Sequence, residues 1–319
     1  PIAADFLYNE CMNEELKLFM DSLRVKKGEP STHTLLTQTK GSYFIADDAD
    51  VEKFWTLYCN AVIKKLQLGI AEKVENNGIS PLRCDIDMVR SLDNGLDRVY
   101  TADHVNFIVD IYQNIIRRIT PPLSLTDKML ICVVFEKKAP RVDEGVIKDG
   151  WHLHFPFYYA DIWTQDTYIR DQVIKEVVER KFFDKMNLER DIDKIIDPIS
   201  SKTWLLYGSS KYIDAEPFRL SRIVSGELKE LSIEEAFSDF LKDKKCKAKY
   251  YLPRILSIRG IPSQVGAIPL VESVELIRAS SKSDKKKRKV KNINKNRNID
   301  DSMADLKTLE DGGIIEMLS

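Results

Sequence analysis

PLRCDIDMV (residues 81–89) alternates apolar and polar side chains with a period of two, so it reads as a β-strand. On a strand, residues i and i+2 share a face and stand roughly 6–7 Å apart. Asp85 and Asp87 therefore point one way, and Cys84, Ile86 and Met88 the other. Side by side, two carboxylates repel each other. A divalent cation removes that cost, and an all-oxygen donor set suits Mg²⁺ or Mn²⁺. Taken alone, the pair fits a solvated strand face equally well.

Strands and helices alternate on both sides of this stretch. Apolar spacing predicts helices over 13–24, 47–67, 102–119, 164–186 and 231–242. MLICVVFEK (129–137), WHLHFPFYYA (151–160), TWLLYGSSK (203–211) and FRLSRIVSG (218–226) read as strands or strand pieces around turns, as does the early THTLL…GSYFI segment (32–45). The pattern predicts an α/β (α+β) sheet domain. That domain ends near Ala279, where low-complexity sequence begins. Residues 282–297 hold nine Lys or Arg and one acid, and 298–319 hold six acids and one Lys. Such a tract cannot bury enough apolar area to fold, so 280–319 is expected to be a basic and then acidic flexible linker.

Composition narrows the class. Over 319 residues, 43% are hydrophobic and 31% charged, and the net charge is −1. No apolar run approaches the ~20 residues of a membrane helix, and the first residues are acidic without a signal-peptide core. The five cysteines are scattered with no CxxC pair, which points to reduced thiols in an intracellular protein. No GxxxxGK[ST] motif occurs, so no P-loop ATPase is assigned to these residues.

Two further segments carry candidate chemistry. KDGWHLHFP (148–156) puts His152 and His154 on one strand face. Lys148 and His152 can donate to a triphosphate, and His154 is read as structural or secondary. IIDPISSKTWLLYGSSK (195–211) offers Asp197 as a third carboxylate, then a Gly208–Lys211 turn whose hydroxyls, amides and cation suit phosphate.

In this order, D-x-D, K-x-G-x-H and an Asp with a downstream G-S-x-K resemble the three motifs of the archaeo-eukaryotic primase superfamily. The closer likeness is to the primase half of the primase-helicases of large nucleocytoplasmic DNA viruses, and it spans roughly residues 30–226. It implies a primase fold with an RRM-like mixed sheet flanked by helices. It further implies that Asp85, Asp87 and Asp197 bind catalytic Mg²⁺ or Mn²⁺. His152, with Lys148 and Gly150 before it, then meets the incoming nucleotide, with Ser209 and Lys211 in the third motif's turn. Relatives often carry an arginine three residues before the glycine of that turn. Leu205 stands there, so Lys202, Lys211, Arg219 or Arg222 is expected to supply the positive charge.

The implied activity is primer synthesis on a single-stranded DNA template from nucleoside triphosphates, beside a C-terminal helicase of the same polypeptide. A catalytically idle single-stranded nucleic-acid-binding module, using the basic run, is the alternative. D-x-D also marks sugar-nucleotide glycosyltransferases, but nothing here supplies their secretory or membrane context. KKKRKV (285–290) resembles a short nuclear-localisation signal and equally a polycationic linker, so host cytoplasm and nucleus both stay open.

Overall fold

The structure is a computed structural model that describes residues 14–37, 40–75, 78–212, 215–241, 251–259 and 266–281. The chain divides into two compact units, Pro1–Pro269 and Leu270–Ser319. In the second, residues 272–281 are helical. The basic run, the acidic tail and KKKRKV lie outside the described residues. Among those described, no helix is long and apolar enough to cross a membrane.

The first unit runs α1 (Glu14–Ser22), β1 (Arg24–Val25), β2 (His33–Leu35), β3 (Gly41–Tyr43), α2 (Asp48–Ile63), β4 (Ile70–Glu72), β5 (Ile79–Ser91), α3 (Ala102–Ile119), β6 (Cys132–Glu136), β7 (Arg141–Asp143) and β8 (Val146–Asp161). It continues through α4 (Arg170–Glu179), α5 (Ile192–Ile195), β9 (Trp204–Leu205), β10 (Arg219–Val224), β11 (Glu230–Leu231), α6 (Ile233–Leu241) and α7 (Leu252–Ile255). Five strands form a sheet in the order β1-β3-β2-β4-β9. Another sheet follows the order β11-β10-β6-β8-β5, with β7 paired to β8. All these ladders are antiparallel, where the resemblance implies a mixed sheet. The fold is α+β.

Local chemistry sets the helix starts. Asp47 caps α2 by accepting from the Ala49 N–H at 2.9 Å, with Asp48 and Asp50 in the first turn where the helix dipole favours anions. Thr101 caps α3 with the His104 ring returning to the Thr101 N–H at 3.0 Å. Before α6, Ser232 and Glu235 form a reciprocal capping box.

The apolar face of α2 packs with α1 on the five-stranded sheet through Leu16, Phe54, Tyr58, Ile70 and Leu206. Cys84, Ile86, Leu153, Phe155 and the inner residues of α3 are buried together, with the Tyr112 and Phe155 rings 5.8 Å apart. On the opposite face of the six-stranded sheet, α6 and α7 cover Val133, Phe135 and Ile223. They leave the Asp85 end of that face bare.

Several elements differ from their expected bounds: α2 ends at Ile63, β6 begins at Cys132, and β9 is only Trp204–Leu205 of the expected 203–211. β8 begins five residues before Trp151, which brings Lys148 and Gly150 into the ladder. The helix expected over 164–186 starts as a π-helical turn, Trp163–Ile169, and α4 stops at Glu179. Beyond it Phe182, partly buried, stacks on Phe107 at 4.8 Å. The β5–β8 register shifts after Pro81, opposite Pro156; neither proline has an N–H to give to a ladder.

Candidate active site

Register builds the site. Asp85 faces His152 across the β5–β8 ladder, Asp87 faces Gly150, and Val89 faces Lys148. Cross-strand partners share a face, so the first two motifs are one surface. The third motif joins through backbone. Ile196 bridges Ile86 in antiparallel fashion, and the Asp197 N–H donates to the Asp85 carbonyl at 3.1 Å. Asp197 is therefore carried along the free edge of β5, beside the first two carboxylates.

Gly150 allows the close approach. Its φ is +149°, and a Cβ there would lie 1.8 Å from the Ile86 carbonyl oxygen. Only glycine fits this position without moving β5.

A cleft of about 550 Å³ opens over this face. Its floor is Asp85, Asp87, Gly150 and His152, and its far wall is Leu36, Ala71 and Leu205 of the five-stranded sheet. Lys137, Arg141, Lys148, Lys202 and Lys211 bring positive charge to its rim.

Each carboxylate has a basic partner. Asp85 Oδ1 lies 3.3 Å from His152 Nε2, Asp197 Oδ2 accepts from Lys202 Nζ at 2.6 Å, and Asp87 pairs with Arg190. Burial pushes the Asp85 carboxyl up, but His152, Lys202 and Lys137 together hold it below the usual carboxylate range. Asp87 is raised, by burial first and then by the Asp85 charge, against the pull of Arg190. Two anions thus compete for one volume, and the electrostatics favour added positive charge there.

Among the described residues, no group of three or more His, Cys, Asp or Glu side chains stands as a ready metal cluster. The donor chemistry still fits a hard divalent ion: Asp85 and Asp87 share one strand face, Asp197 follows the edge of that strand, and each carboxylate has a basic side chain beside it.

His152 is held between rings. It stacks on Phe218 at 3.6 Å and tilts against Trp204 at 4.7 Å. Arg83, itself buried, lies over Trp204 at 5.1 Å, and Lys137 over Phe218 at 4.8 Å. His154 is fully buried, with neither ring nitrogen hydrogen-bonded, and burial, with Arg83 nearby, pushes its pKa down to about 3. It is a neutral core residue, as the sequence reading has it.

The remaining expected residues divide: Lys148, Ser209 and Lys211 line the cleft, and Arg219 and Arg222 do not. Lys148 lines the cleft with its ammonium on Asp143 at 2.9 Å. The Ser209 hydroxyl is buried between Tyr58 Oη at 2.8 Å and the Ile70 N–H at 3.0 Å. Lys211 lines the cleft with its ammonium 5.4 Å from the Tyr212 ring. Arg219 and Arg222 are not among the lining residues. Arg222 is in register with Val134, which faces Leu153 and so Cys84; this is the reverse face of the sheet, where Arg222 lies 3.8 Å from Glu136.

Sequence reasoning missed Arg190, Lys137, Arg141, Trp204 and Phe218 as members of the site. Arg190 lies outside any periodic segment. Lys137 follows Phe135 at period two, and Phe135 faces His152, but that register is not written in either strand alone.

Comparison with known proteins agrees with this arrangement. Residues 32–224, more than half the chain, match the family described as the C962R protein N-terminal AEP domain, an archaeo-eukaryotic primase domain. The chain is 31% identical over 253 residues to "Putative helicase 121R" of Invertebrate iridescent virus 3, covering 73% of this chain and 26% of that protein. It is 30% identical over 299 residues to "Putative helicase L207/L206" of Acanthamoeba polyphaga mimivirus, covering 92% of this chain and 30% of that protein. "Putative helicase 184R" of Invertebrate iridescent virus 6 is 30% identical over 257 residues, covering 73% and 26%. The chain thus spans between a quarter and a third of the length of these curated relatives. With its D-x-D strand and its glycine–histidine strand on one cleft floor, and Asp197 tied by its backbone to Asp85, the chain belongs to the C962R-type archaeo-eukaryotic primase family, whose viral relatives are named helicases.

Proposed function

We propose that the chain is a DNA-dependent primase-polymerase domain of a viral replicative primase-helicase. It synthesises primers on single-stranded DNA from nucleoside triphosphates. Residues 1–279 form the catalytic domain, and 280–319 lead as a linker toward a helicase of the same polypeptide. The observation that carries this reading is the pair Asp85 and Asp87 on the floor of a cationic cleft, with the Asp197 backbone hydrogen-bonded to that of Asp85.

Asp85, Asp87 and Asp197 would hold the divalent ions. When bound, Mg²⁺ or Mn²⁺ supplies charge neutralisation and acidifies the attacking hydroxyl. The protein's own part is mostly positioning and charge, as in phosphoryl transfer generally. His152, clamped between Phe218 and Trp204, and Lys148 donate to the triphosphate, and Lys211 approaches it from the other wall. A primer 3′-oxygen forms its bond to the α-phosphorus, the bond to the leaving pyrophosphate breaks, and the hydroxyl proton passes to solvent. Primer synthesis on single-stranded DNA with labelled nucleotides tests this; full activity in an Asp85→Ala/Asp87→Ala variant would refute it.

The second reading, an idle single-stranded nucleic-acid-binding module, draws on the ion pairing of all three carboxylates. Its affinity would come chiefly from the basic run, fall steeply with salt and vanish on truncation at Ala279. The enzyme reading expects nucleotide-dependent metal binding to survive that truncation.

A further inference from the structure

The cleft cations are not equivalent. Arg141 and Lys148 both reach Asp143, at 3.0 and 2.9 Å, and Lys202 is held by Asp197. Among the described residues Lys137, like Lys211, has no carboxylate within 4.0 Å. Its ammonium lies 4.8 Å from the centre of the Phe218 ring, whose other neighbour is His152. Residue 137 follows directly on β6, where Phe135 faces His152, and period two places Lys137 toward the same cleft.

Lys137 is half-buried and in no direct ion pair among the described residues, with Glu216, Asp87 and Asp85 acting on its charge from beyond 4.0 Å. A charge held in this way costs free energy unless an anion arrives. Glu216, the nearest carboxylate on that rim, is exposed and accepts from the Lys138 N–H at 3.2 Å. Arg141 adds a second positive charge, and burial together with Arg141 holds the Lys137 ammonium below the usual lysine range. On the far wall, Leu205 offers no charge at all.

We propose that Lys137 grips the β- and γ-phosphates of the incoming nucleoside triphosphate and supplies the positive charge that Leu205 does not. This assignment rests on the nucleotidyl-transfer reading of the cleft. The Phe218 ring fixes the ammonium beside His152, so the lysine is the triphosphate's anchor and His152 its neighbour.

The test is equilibrium binding of a nucleoside triphosphate and the matching monophosphate, with Mn²⁺, to the 319-residue chain and to its Lys137→Met and Lys137→Arg variants. Methionine keeps the length and the contact with Phe218 but removes the charge. The expected result is a roughly tenfold weaker triphosphate Kd in Lys137→Met, about 1.4 kcal/mol. Monophosphate binding should be unchanged, and Lys137→Arg should recover most of the loss. Thermal unfolding midpoints check that both variants fold. Unchanged triphosphate binding in Lys137→Met overturns the assignment, as does equal weakening of both ligands. A wild-type chain that binds the two ligands alike overturns the nucleotidyl-transfer reading itself, and the assignment with it.

Discussion

Gly150 and Ile86 stand so close across the β5–β8 ladder that the glycine Cα has room for no side chain: a Cβ would meet the Ile86 carbonyl oxygen at 1.8 Å. That proximity keeps Asp87 and His152 in one register. Gly150→Ala should cost about 3 kcal/mol or more, from the positive φ together with a clash against backbone that cannot rotate away. Denaturant unfolding measures it, and a midpoint equal to wild type would refute the close-approach argument.

His154 gives a pH signature. Its folded-state pKa of about 3 lies below the unfolded value of 6.5, so the unfolded chain takes up the proton first. Its stability contribution is complete above pH 6.5 and declines as pH falls toward 3. Between pH 7 and pH 5 the decline should be about 2 kcal/mol. His154→Leu removes a buried ring without hydrogen bonds, so its stability should change less over that interval. Identical pH slopes in the two proteins would show that His154 is not buried neutral.

Arg190 and Lys202 occupy oxygens that a divalent ion would need. Replacing either by methionine should tighten Mn²⁺ binding several-fold, up to roughly fivefold for a partly exposed pair worth no more than about 1 kcal/mol. Calorimetric titration with Mn²⁺ reads the change. Weaker binding in both variants would mean that these bases hold the carboxylates in place and do not compete with the ion.

Ser209 tests how far its motif is structural. Ser209 lines the cleft, and its hydroxyl joins Tyr58 to the Ile70 N–H. Ser209→Ala should lose about 1–3 kcal/mol of stability by leaving buried partners unsatisfied, with nucleotide affinity shifted less than twofold. A large loss of affinity at wild-type stability would return Ser209 to the phosphate site.

The core elements were legible because their signals are local. The Cys84–Ile86–Met88 alternation gave the buried face of β5, and the spacing from Ala102 to Ile119 matched α3 to the residue. The shared face of Asp85 and Asp87 was also legible, from their period-two spacing. The cations were not. Arg222 sits four residues after Phe218, yet register turns it to the reverse face, while Lys137 reaches the cleft from a strand that reads as pure core. Which side a residue faces depends on strand partners distant in sequence, and the shift at Pro81 changes those partners midway along the ladder.

The ring clamp around His152 has an optical consequence. Of the chain's four tryptophans, Trp204 lies on the cleft wall, within 4.7 Å of the His152 imidazole and 5.1 Å of the Arg83 guanidinium. Indole emission responds to the charge and water beside it. The protein therefore carries its own chromophore at the point where a nucleotide would enter, and occupancy of the cleft can be followed by intrinsic fluorescence without attaching a dye.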